Sequence, residues 1–479
     1  VTVKAKKKLR YYQESAIQSA LNHFKENDRG QLIMAPGTGK TFTSLKIAEA
    51  MAKEAKKEQY TILYLVPSIQ LLTQTLRGWN NDTEMTMSSM AVTSDRNASR
   101  GSVKQDESNI TIKASDIGYP ATTSSKKVVE NYLELIDRPK KELLVVFGTY
   151  QSIDVLGEAQ KDGFPEFDLI IADEFSMVDN WLFYNLLLAS TRIKKICIIG
   201  DKDQLPSVGP GCVLRDLMQS NEFSLIELKH IYRQESDSDV INLAHAINTG
   251  NVNVEEYHHD VKFFACMPED IRRNILMMVE DALQKGYSID DIQILSPMYA
   301  GVAGIDYLNN ALQESFNPPS KDKAEVKSGY MTFREGDKIL QLKNQPDDDV
   351  YNGDIGVLVE IIDAKHAEDH KTTIICQFGE IIVEYKPENW INITLAYCIS
   401  VHKSQGSEYP IVIMPITRRH AGMLQRKLIY TGVTRARKAL IILGELEAFK
   451  RGIQVLELHP RETTLTKKLQ QYVNGDYGF

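Results

Sequence analysis

Two adjacent carboxylates, Asp173 and Glu174, directly follow the apolar run Ile170-Ile171-Ala172. A buried strand that ends in two carboxylates can hold one of them in the shell of a magnesium ion and the other beside a water molecule. We therefore expect Asp173 to bind Mg²⁺ and Glu174 to orient or deprotonate the water. Such a pair of carboxylates at the end of a buried strand is typical of sites that hydrolyse nucleotides.

A glycine-rich loop upstream supplies the expected partner of these carboxylates. The sequence Met34-Ala35-Pro36-Gly37-Thr38-Gly39-Lys40-Thr41 lies between the apolar pair Leu32-Ile33 and a helix-like stretch from Phe42 to Ala55. Glycines let successive backbone N–H groups surround an anion at a helix N-terminus. Lys40 is expected to contact the β- and γ-phosphates, and the Thr41 hydroxyl to hold Mg²⁺. The predicted cofactors are ATP and Mg²⁺, and the loop residues predicted to bind them are Pro36, Gly37, Thr38, Gly39, Lys40 and Thr41.

Two glutamines are predicted to complete the nucleotide site. Gln204 lies in the segment 200–208, which follows the apolar strand Ile196 to Ile199. Loops at the carboxyl ends of parallel strands line the ligand crevice, so Gln204 can reach a γ-phosphate and the attacking water. The alternative is an Asp/Gly turn that closes a strand. Gln13, ahead of the loop, can pair with an adenine edge, and the alternative is a surface helix glutamine.

Two arginines in later segments, Arg233 and Arg435, are candidates for stabilising the charge that develops on a transferring phosphate. The alternative for a lone arginine is a structural ion pair, which we expect for Arg437. In the segment 401–408, small and polar groups are suited to phosphate or sugar, and we assign Gly406 and Glu408 to the nucleotide. The alternative there is a helix N-terminus capped by Ser404.

The composition is that of an ordinary soluble protein of several domains. The chain has 479 residues, 43% hydrophobic and 25% charged, and a net charge of −8. That charge argues against coating nucleic acid by bulk attraction and leaves room for a local basic channel. Five widely spaced cysteines suggest neither a zinc site nor disulfides. With no bilayer-length apolar run and no secretory signal, we expect no membrane partner and a cytoplasmic location.

Apolar strands alternate with helical patterns from residue 31 to about 228, which predicts a doubly wound parallel sheet. The polar, Ser/Thr-rich stretch 80–141 is expected to be an insertion at the sheet edge. A second α/β pattern begins near residue 228. It is interrupted by short alternating strands that predict an inserted β-barrel. The expected domains are therefore 1–228, then 229–329 with 391–479, and a barrel at 330–390.

The motifs together resemble nucleic-acid helicases, but the two halves resemble different groups. From about Leu9 to Asp173 the chain is similar to the superfamily 2 motor of Type ISP restriction-modification enzymes and DEAD/DEAH-type helicases. The segments that carry this resemblance are RYYQ at 10–13, MAPGTGKT at 34–41, LVPSIQLLTQT at 65–75, GYPATT at 118–123, VVFGTYQSI at 145–153 and FPEFDLIIADE at 164–174.

From Asp173 to about Leu443 the chain resembles the RecD-like helicases of superfamily 1. The segments that carry this second resemblance are DEFSMVDNWL at 173–182, GDKDQLPSVGPG at 200–211, IYRQ at 231–234, ILSPMYAGVAGIDYLN at 294–309, VYNGDIG at 350–356, VHKSQGSEYP at 401–410 and YTGVTRARK at 430–438. The chain is therefore a mosaic whose halves meet at the acidic pair.

The resemblance implies an α/β fold of two RecA-like P-loop motor domains, with an SH3-like β-barrel inserted in the second. It also implies ATP-dependent movement on DNA with 5′ to 3′ polarity, and roles in ATP hydrolysis for Lys40, Thr41, Asp173, Glu174, Gln204, Arg233 and Arg435. The positions that match DNA-contacting residues of one group or the other are Pro67, Ser68, Thr149, Tyr150, Asn352, His402 and Lys403.

Three functions stay open at this point. The first is a helicase that moves along single-stranded DNA and unwinds duplexes, in DNA repair or recombination. The second is a translocase on duplex DNA that does not separate strands, because the segment that supplies the strand-splitting pin in RecD-like helicases is replaced by the stretch 80–141. The third is an inactive nucleotide-dependent DNA clamp.

Overall fold

The computed structural model describes residues 6–35, 37–92, 124–136, 139–189, 194–222, 225–227, 238–345, 348, 350, 352–367, 369–379 and 381–475. The chain divides into two compact units. The first consists of Val1–Ile231 together with Pro460–Phe479, and the second of Tyr232–His459.

A seven-stranded sheet forms the centre of the first unit. Its strands are β1 (Arg29–Ile33), β2 (Tyr60–Val66), β3 (Met87–Val92), β4 (Leu143–Thr149), β5 (Leu169–Ala172), β6 (Ile196–Gly200) and β7 (Leu225–Glu227). All neighbouring strands are parallel, in the order β3-β4-β2-β5-β6-β1-β7. Strands β2, β4 and β5 are buried along their whole length, because helices cover both faces of a doubly wound sheet. The predicted parallel sheet is confirmed.

The helices that cover this sheet are α1 (Tyr11–Glu26), α2 (Lys40–Ala55), α3 (Ile69–Asp82), α4 (Ser125–Ile136), α5 (Ile153–Lys161), α6 (Asn180–Ala189), α7 (Val213–Ser220) and α13 (Leu465–Val473). Helices α1 to α3 share one hydrophobic core with alternate strand residues such as Ile62 and Phe147. Helices α4 to α7 share another with the intervening residues, such as Leu63 and Val146. The period of two along each strand therefore sends its side chains into two cores.

The prediction of a polar insertion over 80–141 requires correction at both ends. Residues Met87–Val92 form β3, the edge strand that pairs with β4 from Met87↔Leu143 onward. Met90 and Val92 are fully buried, and so is Val128 on α4. Serines and threonines around β3 obscured its apolar residues, whose burial depends on a partner strand more than fifty residues away. Residues 93–123 lie outside the part of the chain that the structure describes.

A second parallel sheet organises the second unit, in the order β17-β9-β18-β19-β8. Its strands are β8 (Val261–Ala265), β9 (Ile292–Ser296), β17 (Cys398–Ser400), β18 (Tyr409–Ile416) and β19 (Ala436–Gly444). The accompanying helices are α8 (Asp239–Thr249), α9 (Ile271–Gln284), α10 (Ile305–Phe316), α11 (Arg426–Val433) and α12 (Leu446–Gln454). The two units therefore each carry a RecA-like parallel sheet.

An antiparallel sheet interrupts this second pattern. Its strands are β12 (Lys338–Gln341), β13 (Ile355–Ile362), β14 (Thr373–Phe378), β15 (Ile381–Tyr385) and β16 (Ile393–Leu395), in the order β15-β14-β13-β12-β16. A hairpin of β10 (Glu325–Ser328) and β11 (Met331–Arg334) precedes it. The predicted SH3-like insert is confirmed, and its last strand ends at Leu395, five residues beyond the predicted boundary. Among the described helices of the whole chain, none is both long and apolar enough to cross a membrane.

The C-terminal residues differ from the expected domain assignment. The prediction placed 391–479 in the second domain, whereas Pro460–Phe479 groups with the first unit. Leu465 and Leu469 of α13 pack against the core that α7 shares, and the Thr466 hydroxyl donates a 3.1 Å hydrogen bond to the Asp216 carbonyl. The sequence of α13 does not indicate which core its apolar residues contact.

A buried carboxylate, Asp337, joins the insert to the second RecA-like sheet. Its oxygens accept hydrogen bonds from Gln313 Nε2 at 2.6 Å, Asn317 Nδ2 at 2.8 Å, the Arg334 backbone N–H at 2.7 Å and the Tyr397 hydroxyl at 3.0 Å. Burial raises the pKa of Asp337, although these donors act in the opposite direction. One side chain therefore satisfies four buried donors from both sides of the junction.

Replacing Asp337 by alanine is expected to lower the free energy of unfolding of the second unit by at least about 3 kcal/mol, because several buried donors lose their acceptor. Asp281→Ala is the matched control, since Asp281 is exposed and pairs with Lys285 on the surface; we expect a loss within about 0.5 kcal/mol. Urea unfolding measures the free energy of unfolding of both variants. Equal losses in the two variants would contradict the role of Asp337.

Candidate nucleotide-binding site

The carboxyl ends of three adjacent parallel strands, β5, β6 and β1, bring the predicted residues to one edge of the first sheet. Strand β5 is followed by Asp173 and Glu174, β6 by the segment containing Gln204, and β1 by the glycine-rich loop. The Met34 N–H donates a 3.0 Å hydrogen bond to the Gly200 carbonyl, which continues the β1–β6 pairing into the loop. The strand order thus assembles residues that are more than 160 positions apart.

The glycine-rich loop adopts the backbone that its sequence requires. Gly37 has φ +73° and Gly39 has φ +80°, both in the left-handed region, and α2 begins at Lys40. The Thr38 carbonyl accepts hydrogen bonds from the Gln13 amide at 3.1 Å and from the Tyr12 hydroxyl at 3.2 Å. A Cβ at Gly39 would lie only 2.6 Å from Gln13 Nε2. Gln13 therefore braces this loop from α1, and it is buried rather than a surface glutamine.

An ion pair links the loop to the acidic pair. Lys40 Nζ lies 2.6 Å from Glu174 Oε1, and the two side chains are only 9% and 13% exposed. Burial alone would lower the pKa of Lys40, but the negative charges of Glu174, Asp173 and Asp201 outweigh it, and the pKa is raised. Lys40 therefore stays a cation.

Asp173 is held by two donors. Its carboxylate accepts from the Tyr64 hydroxyl at 2.6 Å and from the Glu174 backbone N–H at 2.8 Å. Burial and the neighbouring charge of Glu174 raise the pKa of Asp173, against the opposing effect of Lys40. Glu174 itself has φ +49°, an uncommon conformation for a residue with a side chain. Such strain is typical of functional positions.

Tyr64 is a member of this site that the sequence interpretation missed. Its hydroxyl lies 3.3 Å from the Ser44 hydroxyl, and Ser44 donates at 2.8 Å to the Thr41 carbonyl. A chain of hydrogen bonds thus connects Thr41 with Asp173, the two predicted magnesium ligands. The sequence feature that could have indicated this role is the hydroxyl of Tyr64 within the apolar strand β2. In the structure Tyr64 pairs with Ile171 of β5. The sequence interpretation also missed Asp201, which directly follows β6. Its position at the end of the strand next to β5 could have indicated that it lies near the acidic pair.

Gln204 is 2% exposed, and both atoms of its side-chain amide are buried without a hydrogen-bond partner among the described residues. Such an amide costs stability unless a ligand or water satisfies it. The segment also forms an Asp/Gly-type turn, since the Asp203 N–H donates to Asp201 at 3.0 Å. Both expectations for the segment are therefore compatible with its geometry.

The DNA-contact predictions in the first unit fall at the ends of β2 and β4. Pro67 is half-buried, and the Ser68 hydroxyl caps α3 by accepting from the Leu71 N–H at 3.3 Å. Thr149 and Tyr150 are buried, and the Tyr150 hydroxyl donates at 2.7 Å to the Asp173 carbonyl. Through this bond, the segment after β4 reaches the acidic pair. Tyr150 is therefore committed to the core, since only 1% of the residue is exposed.

The second unit brings together two predicted DNA contacts, because Lys403 Nζ donates a 2.6 Å hydrogen bond to Asn352 Oδ1. Burial lowers the pKa of both His402 and Lys403. Gly406 has φ +80°.

The remaining predicted residues of this unit include the ion pair Glu408–Arg437, whose charged atoms lie 3.7 Å apart. The ion pair predicted for Arg437 is thus present. The Arg435 guanidinium is buried and donates to the Thr431 carbonyl, the Ser407 carbonyl and the Thr434 hydroxyl. Pro36 and Arg233 lie outside the described residues.

The fold and this edge of the first sheet define a P-loop nucleotide-binding protein. The donor set fits a nucleotide with a divalent cation on three grounds. The loop has two left-handed glycines before a helix N-terminus, the Lys40 ammonium feels the charges of three carboxylates, and the buried amide of Gln204 has no hydrogen-bond partner among the described residues. The first ground suits phosphate oxygens, and the buried Asp173 carboxylate offers an oxygen ligand of the kind that a hard cation takes, although no group of three or more acidic, His or Cys side chains among the described residues forms a metal cluster.

Family comparisons divide the chain where the acidic pair lies. Residues 6–176 match the family described as Type III restriction enzyme, res subunit. Residues 308–378 match the SH3 domain of ATP-dependent RecD-like DNA helicases, and residues 395–443 match the UvrD-like helicase C-terminal domain. The predicted mosaic of two helicase groups within one P-loop chain is confirmed.

Individual relatives agree with these families. The chain is 31% identical over 313 residues to the ATP-dependent RecD2 DNA helicase of Deinococcus radiodurans, and this covers 64% of the chain and 40% of the relative. It is 27% identical to the RecBCD enzyme subunit RecD of Mycolicibacterium smegmatis, over 63% of the chain and 54% of the relative. The chain thus spans about half the length of these relatives.

Among solved structures, the Type ISP restriction-modification enzyme LlaGI in complex with a DNA substrate mimic is 49% identical, over 51% of the chain and 22% of that enzyme, with a TM-score of 0.38. The Pif1 helicase from Candida albicans is 14% identical, over 98% of the chain and 100% of that protein, with a TM-score of 0.45.

Two aspartates of the first unit are expected to respond to substitution with opposite signs. The folded pKa of Asp173 lies above its ordinary value of 3.8, so its ionisation weakens the fold as pH rises. Asp173→Asn should therefore be at least as stable as the wild type at neutral pH, with a relative gain that shrinks as pH falls towards 4. Chemical denaturation at several pH values measures this difference.

Asp168 is the matched control, since it is also buried but accepts hydrogen bonds from Lys57, Lys194 and the Thr61 N–H. Burial raises the pKa of Asp168, but these partners outweigh burial and lower it. Its ionised form therefore stabilises the fold above pH 3.8, and Asp168→Asn should be destabilising at neutral pH and less so in acid. A change in the free energy of unfolding of the same sign in both variants at neutral pH would contradict the assigned pKa shifts.

Proposed function

We propose that this protein is an ATP-dependent DNA helicase that moves 5′ to 3′ on single-stranded DNA. The observation that carries the proposal is the cluster of Lys40, Glu174 and Asp173 at the edge where the glycine loop ends. Motor ATPases need these three groups together, as a phosphate contact, a water-orienting base and a metal ligand. The matches to RecD-like helicase families support the extension from nucleotide to DNA.

Thr41 and Asp173 are the residues that would hold Mg²⁺, and Gln13 with the loop 36–41 would hold ATP. The cation, when bound, neutralises charge on the phosphate oxygens. Glu174 orients or deprotonates water from a backbone position that its neighbours fix, and Gln204 reaches the terminal phosphate. We further propose Gly406 and Glu408 as nucleotide contacts. Arg233 and Arg435 are proposed to stabilise the transferring phosphate.

DNA is the proposed partner of both units. In the second unit, Asn352 of the insert and Lys403 of the segment after β17 form one polar surface, and this pairing supports a shared contact with a DNA strand. His402, which burial keeps neutral at physiological pH, is suited to a hydrogen bond rather than a charge contact. Pro67, Ser68, Thr149 and Tyr150 are the proposed DNA contacts of the first unit.

A second function is favoured by one observation. Residues 6–176 match a restriction-enzyme subunit family, and this is the half that contains the proposed ATP site. A motor of that kind can move along duplex DNA without separating its strands. We therefore carry the duplex translocase as the alternative.

The proposal is tested by ATP turnover and strand separation on duplexes with a 5′ tail, a 3′ tail or no tail. We expect single-stranded DNA to stimulate turnover and only the 5′-tailed duplex to be unwound. Displacement of a triplex strand without duplex unwinding would replace the helicase by the translocase. Turnover that no DNA stimulates would contradict both motors and favour a clamp.

Glu174→Gln is the control for the chemistry. Removing the base while keeping the shape of the side chain should lower ATP turnover by at least about a hundredfold, with nucleotide binding retained. Turnover and equilibrium nucleotide binding are measured on the same preparation. Loss of binding with turnover preserved would contradict the role of Glu174.

A further inference from the structure

The C-terminal segment 460–473 makes a set of contacts that the sequence motifs do not explain. Arg461 Nη1 donates to the Gly209 carbonyl at 2.7 Å and to the Gly211 carbonyl at 2.8 Å. These glycines end the segment 200–211, which follows β6 and contains Gln204. An arginine near the end of the chain thus binds the loop that carries a proposed phosphate contact.

The opposite side of this loop is fixed by residues that follow the acidic pair. The Asn180 N–H donates a 3.0 Å hydrogen bond to the Pro210 carbonyl. A Cβ at Gly209 would collide with the Asp179 carboxylate, and one at Gly211 with the Asn180 side chain. Within the loop, the Ser207 hydroxyl donates to the Gly209 carbonyl at 3.1 Å. The loop is therefore held between Asp179-Asn180 on one side and Arg461 on the other.

Further bonds fix the position of Arg461 itself. Its carbonyl accepts from Arg215 Nη2 at 2.9 Å. The Thr463 hydroxyl donates at 2.8 Å to the buried carboxylate of Asp216, and the Thr466 hydroxyl to the Asp216 carbonyl at 3.1 Å. Leu465 and Leu469 add apolar contacts with the core. Helix α7 and the start of α13 thus form a rigid base for the arginine.

We infer that Arg461 is a positioning residue that holds the 200–211 loop so that the Gln204 amide stays aimed at the nucleotide site. The inference rests on the proposed function, because Gln204 acts only when a nucleotide is hydrolysed. The amide lies five residues before Gly209, and among the described residues it has no hydrogen-bond partner that would fix its direction. The bonds from Arg461 to the Gly209 and Gly211 carbonyls hold the nearby backbone, and through it the direction of the amide.

Arg461→Met keeps the apolar stem and removes the donors to Gly209 and Gly211. We expect kcat for ATP to fall by at least about fivefold while the KM for ATP changes less than about twofold, since the loss concerns orientation during the reaction. Amide hydrogen exchange of residues 205–211 should become faster in the same variant without nucleotide. Arg461→Lys, which keeps a charged donor, should recover part of kcat and slow the exchange again.

Gln470→Leu is the matched control, because Gln470 lies in the same segment and its 3.4 Å hydrogen bond, from Nε2 to the Ser220 carbonyl, involves neither the loop nor the residues that fix Arg461. It should leave kcat and the exchange of residues 205–211 unchanged. Equal effects of Arg461→Met and Gln470→Leu, or none in Arg461→Met with an active wild type, would overturn the inference. A wild type that does not hydrolyse ATP would contradict the proposed function instead, and the exchange comparison would still decide whether Arg461 holds the loop.

Discussion

The ion pair between Lys40 and Glu174 is the interaction on which the first unit's functional edge depends. Glu174 contacts the Lys40 ammonium, and the pKa of Lys40 is raised because the charges of Glu174, Asp173 and Asp201 outweigh its burial. Without the ammonium, the acidic pair would be two buried negative charges with little compensation, which is costly. The same imbalance makes the edge suitable for a divalent cation. Stability of the free protein and readiness for nucleotide therefore arise from one arrangement.

The order of the parallel strands turns this local interaction into a site. Because β5, β6 and β1 are neighbours, three segments from distant parts of the sequence emerge at one edge. Strands β2 and β4 extend that edge, so Ser68 and Tyr150 lie on the same side of the sheet as Asp173. The 2.7 Å bond from the Tyr150 hydroxyl to the Asp173 carbonyl joins a proposed DNA segment to the acidic pair. This bond is the contact through which we propose that DNA binding is coupled to hydrolysis.

Local patterns predicted what depends on local residues. Strands β5, β9, β13 and β15 begin and end where their apolar runs do, and the glycine loop has the backbone that its glycines allow. Contacts that depend on distant partners were missed. In the sequence, Tyr64 is one more residue of an apolar strand, and its role becomes clear only from its hydrogen bond to Asp173. The serines in β3 make it resemble a polar segment, and its burial depends on pairing with β4. Likewise, nothing in the sequence of α13 indicates that it docks on α7 in the first unit.

We propose that the glycine loop and the acidic pair form one nucleotide site in a chain whose two halves resemble different helicase groups. Equilibrium binding of ATP with Mg²⁺ to the whole chain tests it most directly, with Lys40→Met compared against Lys53→Met at the exposed end of the same helix. We expect the affinity to be at least about tenfold weaker for Lys40→Met and unchanged for Lys53→Met. Wild-type affinity in Lys40→Met would contradict the proposal.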